Sequence, residues 1–352
     1  MDLSGVRVSL TIQTYNYGRF IGRTIQSLLA QTHTNFELIV SDNASVDDTE
    51  SVVKSFGDSR IKYYRNATNI EGNQNFRRCL ELASSDIVTV YHADDVYEPG
   101  IVAAELEMLL HNSDVAVVST GDWIINEDDE IISKGVDLPP GLAGKNVYAF
   151  EELYQDMLKR SGSFLVYPTL MGRRKILLNM HPTEYLDECL DWMGGASDIF
   201  LYLKIAEKYK IGVINERLIR RRVHPRQASS LYESSRVTRS EVIQVLDCFL
   251  DSPALSKPIT PGVLAQYDYN KFWDDVKIAT NMIKAGDRKT AVKLLLKSFS
   301  LKYLVQGLKS LRNFCKICIY AILLPAAICG LGKPVVAFLD RFFSRFTGRL
   351  SL

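Results

Sequence analysis

Residues 6–119 alternate β-branched runs with amphipathic helical patterns at short intervals, and this alternation restricts the fold more than any other feature of the chain. Residues 6–14 form the first run. Tyr15-Asn16-Tyr17-Gly18 then turns it into a helical pattern carried by Ile21, Ile25, Leu28 and Leu29. Residues 36–40 form the next run, closed by Ser41-Asp42-Asn43-Ala44-Ser45. Asp47-Asp48 then opens a helix with acids in its first turn, where the dipole favours them. A run at 61–64, a helix over 73–83, a run at 87–91, a helix to Leu110 and a run at 115–119 continue the series. The pattern predicts an α/β fold, a mostly parallel sheet with helices on both faces. Ligands of such sheets bind at the carboxyl edge of the strands.

Tyr91-His92-Ala93-Asp94-Asp95-Val96-Tyr97-Glu98-Pro99-Gly100 falls on that edge, because it follows the strand-like run ending at Tyr91. Two adjacent carboxylates there repel each other unless a cation offsets them, and a divalent metal accounts for the pair. The purely structural alternative is a helix cap, with Asp95 or Glu98 starting the helix ahead of Pro99. Thr14, Tyr15, Asp42 and Asn43 end the first two strands on the same edge, where they could hold a nucleotide; ordinary turn chemistry is their alternative. A dinucleotide fingerprint is missing, since Gly18 and Gly22 enclose only Arg19, Phe20 and Ile21, and no G-x-x-x-x-G-K loop occurs.

At 352 residues the chain suggests about two domains. Its formal net charge of +1 hides an asymmetry: residues 288–352 carry twelve Lys and Arg against one acid, Asp340, which leaves about −10 on the preceding 287 residues. Residues 1–8 hold no apolar core for a cleavable signal, so residence on the cytoplasmic side is expected. Six scattered cysteines suit a reducing compartment, and Cys315 and Cys318 form a C-x-x-C without the second pair or histidine of a zinc site.

Beyond residue 120, Trp123-Ile124-Ile125-Asn126 and Glu130-Ile131-Ile132-Ser133 predict a hairpin, 137–144 a Pro/Gly loop, 151–159 a helix, and 164–169 an edge strand leading to Arg173 and Arg174. Gly194-Gly195-Ala196-Ser197-Asp198 opens a helix through Ile199, Leu203 and Ala206. Ser197 is its expected N-cap, and Asp198 lies in the first turn, where the dipole would keep it ionised. Arg220-Arg221-Arg222, on charge alone, reads as a solvated face.

Three features taken together carry a resemblance. Val8-Ser9-Leu10-Thr11-Ile12-Gln13-Thr14-Tyr15-Asn16, then Ser27-Leu28-Leu29-Ala30-Gln31-Thr32 with Phe36-Glu37-Leu38-Ile39-Val40-Ser41-Asp42-Asn43-Ala44-Ser45, then His92-Ala93-Asp94-Asp95 resemble the nucleotide-sugar-binding half of family 2 glycosyltransferases. The resemblance covers roughly residues 6–225 and implies a GT-A fold with a Rossmann-like, mostly parallel sheet. It implies that Thr14, Tyr15 and Asn16 line the nucleotide pocket and that Asp42-Asn43 meets the base. Asn43 there replaces an acid by an amide that still accepts from a pyrimidine N3–H. His92 stands in the first position of the usual D-x-D motif, leaving Asp94 as the direct ligand of a divalent Mg or Mn ion. Imidazole suits Mn²⁺ better than Mg²⁺, and His92 could instead bond the sugar or diphosphate. Asp198 matches the position of the general base, with Ser197 replacing the acid before it. Arg222-Val223-His224-Pro225 resembles the R-x-H-P element, which brings His224 toward the metal and diphosphate and gives Arg222 a donor contact. The implied reaction is inverting transfer of a single sugar, since the Q-x-x-R-W element of processive synthases is missing after Asp198. A sugar nucleotidyltransferase would need a G-G-x-G-x-R-L loop, which Thr14-Tyr15-Asn16-Tyr17 is not. The remaining alternative is a catalytically inactive sugar-nucleotide-binding or membrane scaffold protein.

Expected boundaries are 1–228 for the catalytic domain, with a nucleotide-sugar half at 1–120 and an acceptor half at 121–228, then a helical linker at 229–287 and a basic apolar helical tail at 288–352. In the tail, residues 317–332 are sixteen without a charge, interrupted by Pro325 and short of the ~20 that span a bilayer. Val335, Phe338, Leu339, Phe342, Phe343 and Phe346 share one helical face, while Arg341, Arg345 and Arg349 fall on others, as in an interfacial helix on an anionic leaflet. A peripheral or monotopic placement on the cytoplasmic side of the membrane follows. The alternative is a helical bundle packed on the first domain or on a second copy, making a homo-oligomer. The family resemblance implies a nucleotide diphosphate sugar donor and a lipid-linked saccharide acceptor; no nucleic acid partner is expected.

Overall fold

The computed structural model describes residues 3–137, 144–181, 195–224 and 235–347, with side chains up to 341. Contacts divide the chain into two units. One comprises residues 1–156, 163–225 and 251–256, and the other residues 157–162, 226–250 and 257–352.

The first unit runs β1 (Val8–Thr14), α1 (Gly18–Leu29), β2 (Phe36–Asp42), α2 (Thr49–Lys54), β3 (Ile61–Arg65), α3 (Gly72–Leu82), β4 (Ile87–His92), β5 (Val96–Tyr97), α4 (Ile101–His111), β6 (Val115–Ile125) and β7 (Ile131–Lys134). It continues through β8 (Val147–Tyr148), α5 (Phe150–Arg160, which crosses into the second unit), β9 (Leu170–Arg173), α6 (Arg174–Asn179), α7 (Ser197–Ala206) and β10 (Lys210–Arg222). The sheet order is β3-β2-β1-β4-β9-β6-β10-β5, with β7 on β6 and β8 on β10. Pairings among β3, β2, β1 and β4 are all parallel. Thr14 pairs with Asp42 and Gln13 with His92, so β1, β2 and β4 end level and present Thr14, Asp42 and His92 along one edge.

Alternation along β1 sorts its two faces. Val8, Leu10 and Ile12 are buried with Ile21, Ile25 and Leu28 of α1. Ser9 and Thr11 point the other way, to Glu37 (2.6 Å) and the carbonyl of Thr89 (2.6 Å). One carboxylate fastens two helix starts: Asp47 accepts from Gly18 N at 2.9 Å and Thr49 N at 3.1 Å. Gly18 suits the close approach there, because a Cβ would lie 2.9 Å from the backbone N of Thr49 and would also displace the Asp48 side chain.

Several local expectations need correction. Residues 164–169 are not an edge strand. Tyr167–Thr169 is a 3₁₀ turn with Pro168 at its start, and the strand that follows, β9, lies in the middle of the sheet, antiparallel to both β4 and β6. Proline lacks the N–H a ladder needs, so pairing begins only at Leu170. Gly172 lets β9 pass, since a Cβ there would sit 2.7 Å from Val117 Cγ1. Neither Asp95 nor Glu98 caps α4, whose N-cap is Gly100. Ser197 is the first residue of α7, not its cap. β10 is a long strand in place of a solvated arginine face: its arginines spend their charge on Glu98, Asp122 and Asp129.

The second unit holds α8 (Glu241–Cys248), α9 (Pro261–Ala285), α10 (Arg288–Ser298), α11 (Lys302–Gly307), α12 (Leu311–Ile328) and α13 (Gly332–Thr347). Tyr269, Phe272, Val276 and Ile283 of α9 share one core with Leu295, Tyr320, Leu323, Val336 and Leu339. By length and composition α12 could cross a membrane, with mean hydropathy 1.5 over its 18 residues and 28% of that window buried. The apolar face expected on α13 divides: Val335 and Leu339 turn into the core, whereas Phe338 is exposed. The side chains of Phe342, Phe343 and Phe346 lie outside the described residues, as do Arg345 and Arg349.

Candidate active site

The loop Ala93-Asp94-Asp95 leaves β4 and is held by α1 from one side. Thr24 Oγ1 reaches the carbonyls of Ala93 (2.9 Å) and Asp95 (2.7 Å). Ser27 accepts from Tyr97 N at 3.1 Å, and Gln31 donates to the carbonyl of Glu98 at 2.9 Å. The Ser27 to Thr32 motif is thus a clamp on this loop, a role its sequence alone does not disclose. Tyr97 adds a second hold: its hydroxyl accepts from His92 N (2.8 Å) and donates to the carbonyl of Pro168 (3.2 Å).

Ligand atoms of His92, Asp94 and Asp95 lie within 4.8 Å of one another. His92 Nε2 and Asp95 Oδ2 are buried without a hydrogen-bond partner. Buried polar atoms are normally paired, so this pair marks a place for a ligand. Burial pushes the Asp95 carboxyl well above the usual range, helped by the Asp94 charge, and burial lowers the His92 imidazole toward its neutral form. A cation would reverse the penalty on Asp95, and one imidazole nitrogen with carboxylate oxygens is a donor set that suits Mn²⁺. His224 Nε2 stands 3.3 Å from Asp94 Oδ2, its ring packed on Phe20 at 5.4 Å between centroids. Tyr17 closes the other side. Its phenol is driven well above its normal range by burial and by Asp94 and Asp95.

Arg222 is 1% exposed and its guanidinium is engaged within the protein. It donates to the carbonyls of Asp94 (2.8 Å) and Asn126 (2.7 Å), pairs with Asp129 and lies over the Phe20 ring. Its geometry ties the β6–β7 turn to the Asp94 loop.

On the nucleotide side, Thr14 Oγ1 is buried without a partner and Tyr15 is exposed. Asn16 adopts a left-handed backbone (φ 59°), which Asn tolerates. Its side-chain Oδ1 accepts from Val46 N at 2.8 Å, linking the ends of β1 and β2. Asp42 is fully buried, accepting from Ser45 N (2.8 Å), Arg65 (3.2 Å) and the Tyr63 hydroxyl. Asn43 spends its whole amide on the neighbouring loop: Oδ1 accepts from Ile70 N and Asn66 (2.9 Å each), and Nδ2 donates to Asn69 (2.8 Å) and the Ile70 carbonyl (2.6 Å).

Asp198 sits in the first turn of α7 and accepts from Ile199 N at 2.8 Å. Burial outweighs that bond and pushes its pKa up to about 6, against the dipole-lowered value expected from its helical position. Tyr167 connects it to the loop after β4. Its ring lies 5.9 Å from that of His92 and 6.2 Å from that of Tyr202, and burial, with the Asp198 charge second, raises the phenols of both tyrosines. Tyr167 escapes detection in the sequence because the 3₁₀ turn that positions it reads there as a strand.

A level strand edge with a His-Asp-Asp cluster agrees with the GT-A arrangement that the sequence resemblance implies. Residues 9–179, just under half of the chain, match the model for glycosyl transferase family 2, the family the sequence resembles. Among curated proteins it is 28% identical over 224 residues to an uncharacterised glycosyltransferase of Nostoc, covering 62% of this chain and 65% of that protein. It is 28% identical over 210 residues to the Escherichia coli UDP-Glc:alpha-D-GlcNAc-diphosphoundecaprenol beta-1,3-glucosyltransferase WfgD, covering 59% and 73% of the two chains. The fold is similar to that of the mannosyltransferase PcManGT from Pyrobaculum calidifontis, solved with GDP-Man and Mn²⁺, with a TM-score of 0.51, 16% identity and coverage of 92% and 86%. S. aureus TarS 1-349 in complex with UDP-GlcNAc has a TM-score of 0.51 at 16% identity, covering 78% and 81%.

Proposed function

We propose that this glycosyltransferase moves one sugar from a nucleoside diphosphate donor to a lipid-linked saccharide at the cytoplasmic face of a membrane, with inversion at the anomeric carbon. The observation that carries the reading is the buried cluster of His92, Asp94 and Asp95, with two orphaned ligand atoms, joined through Tyr167 to a carboxylate of raised pKa. A divalent cation bound there would neutralise the diphosphate of the donor as it leaves. Asp94 would be the direct ligand of that cation, with His92 and Asp95 completing the set, and His224 would orient Asp94 or meet the diphosphate. Thr14, Tyr15 and Asn16 line the nucleotide pocket. Asp42 and Asn43 shape its wall by holding residues 65–70. Asp198 takes the proton of the acceptor hydroxyl, whose oxygen attacks C1 opposite the leaving diphosphate, so one displacement inverts the centre.

The acceptor class draws support from two relatives. WfgD is named for a diphosphoundecaprenol acceptor, and a Campylobacter jejuni protein 34% identical over 104 residues is named a GalNAc(5)-diNAcBac-PP-undecaprenol beta-1,3-glucosyltransferase. The test is donor turnover by the purified chain with membrane extract, across UDP-, GDP- and dTDP-sugars, with and without Mn²⁺, beside Asp94→Ala. Metal-dependent transfer from one donor, lost in the variant, is expected. Binding without turnover under any metal would replace transfer by a scaffold role.

A further inference from the structure

We propose that α11 and its flanking turns form a docking stripe that inserts into the headgroup region of an anionic bilayer. The inference rests on the membrane-side reading above and locates the contact. Leu301, Leu304, Val305 and Leu308 recur at i, i+3, i+4 and i+7 and share one helical face. That face looks outward: exposure is 74% at Leu301, 42% at Leu304, 65% at Val305 and 76% at Leu308. Leu311 and Phe314 at the start of α12, 79% and 47% exposed, extend it.

The opposite face is anchored. Tyr303 stacks on Phe272 at 4.7 Å between centroids, Gln306 donates to Gln266 at 2.6 Å, and a Cβ at Gly307 would come within 2.7 Å of Ile317. The stripe therefore cannot roll inward to bury itself. Cations adjoin it. Lys309 and Arg312 are exposed, and among the described residues neither is paired with a carboxylate. Lys302 is paired with Asp268 at 2.7 Å and contributes less. Residues 288–339 contain no acid.

Soluble surfaces scatter single apolar side chains, whereas six within residues 301–314 beside cations make the pattern of an interfacial segment. A second copy of the chain would bring the same cations against each other. An anionic leaflet attracts them.

The experiment is sedimentation of the full chain with vesicles of phosphatidylglycerol and phosphatidylethanolamine, or of phosphatidylcholine alone, without nucleotide sugar or acceptor. Binding to the anionic vesicles is expected. Val305→Asp with Leu308→Asp should lower partitioning about tenfold or more. Lys309→Glu with Arg312→Glu should weaken anionic binding selectively, and Ile132→Asp, an exposed residue of β7, should change nothing. All these side chains are exposed, so matching thermal melts will confirm folding. Undiminished binding by the Val305/Leu308 variant, equal binding to both vesicles, or no binding by the wild type would overturn the proposal. In the last case, light scattering that shows a dimer dissolved by Leu308→Asp would assign the stripe to a second copy. Donor turnover measured on the same samples keeps failure of docking distinct from failure of the transferase reading.

Discussion

The backbone N–H of Arg222 donates to Oδ1 of Asp95 at 2.8 Å, so the last residue of β10 fixes the orientation of a carboxylate on the loop after β4. The other oxygen of Asp95 is thereby left facing the cluster. Removing the Arg222 guanidinium deprives the carbonyls of Asp94 and Asn126 of their donor, while Asp129, 30% exposed, keeps its pair with Arg23. Arg222→Met should destabilise the first unit by about 1–3 kcal/mol, and Arg222→Lys should recover only part of that. Chemical denaturation measures the loss; variants as stable as wild type would sink this account.

Asp198→Asn should retain donor binding and lose turnover by about 10²–10⁴. On the proposed role, Asp198 accepts the proton only when ionised. With a pKa near 6, activity should rise with pH through about 6 and level off above it. A pH–rate profile of the wild type, beside donor titration of the variant, checks both halves. An acid limb well below 6 would assign the base elsewhere.

If His92 holds a metal as proposed, position 92 should bear on which ion is used. Replacing an imidazole by a carboxylate hardens the donor set, so His92→Asp should improve turnover with Mg²⁺ relative to Mn²⁺. Turnover titrated with each ion gives the ratio directly, and an unchanged ratio would place His92 outside the coordination sphere.

Glu37 predicts acid sensitivity. Burial opposes its ionisation, but hydrogen bonds from Lys62, Ser84 and Ser9 prevail and hold its pKa down at about 2. A carboxyl lowered on folding contributes stability above its unfolded pKa and loses it as pH falls toward the folded value. Between about pH 4.5 and 2 the wild type should therefore shed stability on the order of 1–3 kcal/mol more than Glu37→Gln does. Urea midpoints across that range provide the comparison.

Much of the first unit is legible in the chain, because β1, β2 and β4 are apolar runs at regular spacing and their register alone aligns Thr14, Asp42 and His92. The His92 to Asp95 cluster is legible for the same reason: it follows a strand directly. Long-range partners are not. The Arg222 bonds to Asp94 and Asn126 join residues distant in sequence, which no local period encodes. β9 hides because Pro168 and Gly172 weaken its strand signal, and β10 because its charged positions are neutralised only by tertiary partners. The tail shows a related failure. Its apolar residues are visible in composition, but which of them face outward is decided by the packing of α13 on the shared core.

The central place of β9 limits how this enzyme can be recombined. A cut after residue 120 would take β9 from one side of β4, divide β6 and remove all three of its partners, β9, β10 and β7, leaving apolar edges open to aggregation. Donor specificity cannot then be transplanted by exchanging the first 120 residues between relatives. A functional graft must carry residues 167–173 with it, so the Tyr167 turn is inherited along with the strand that supports it.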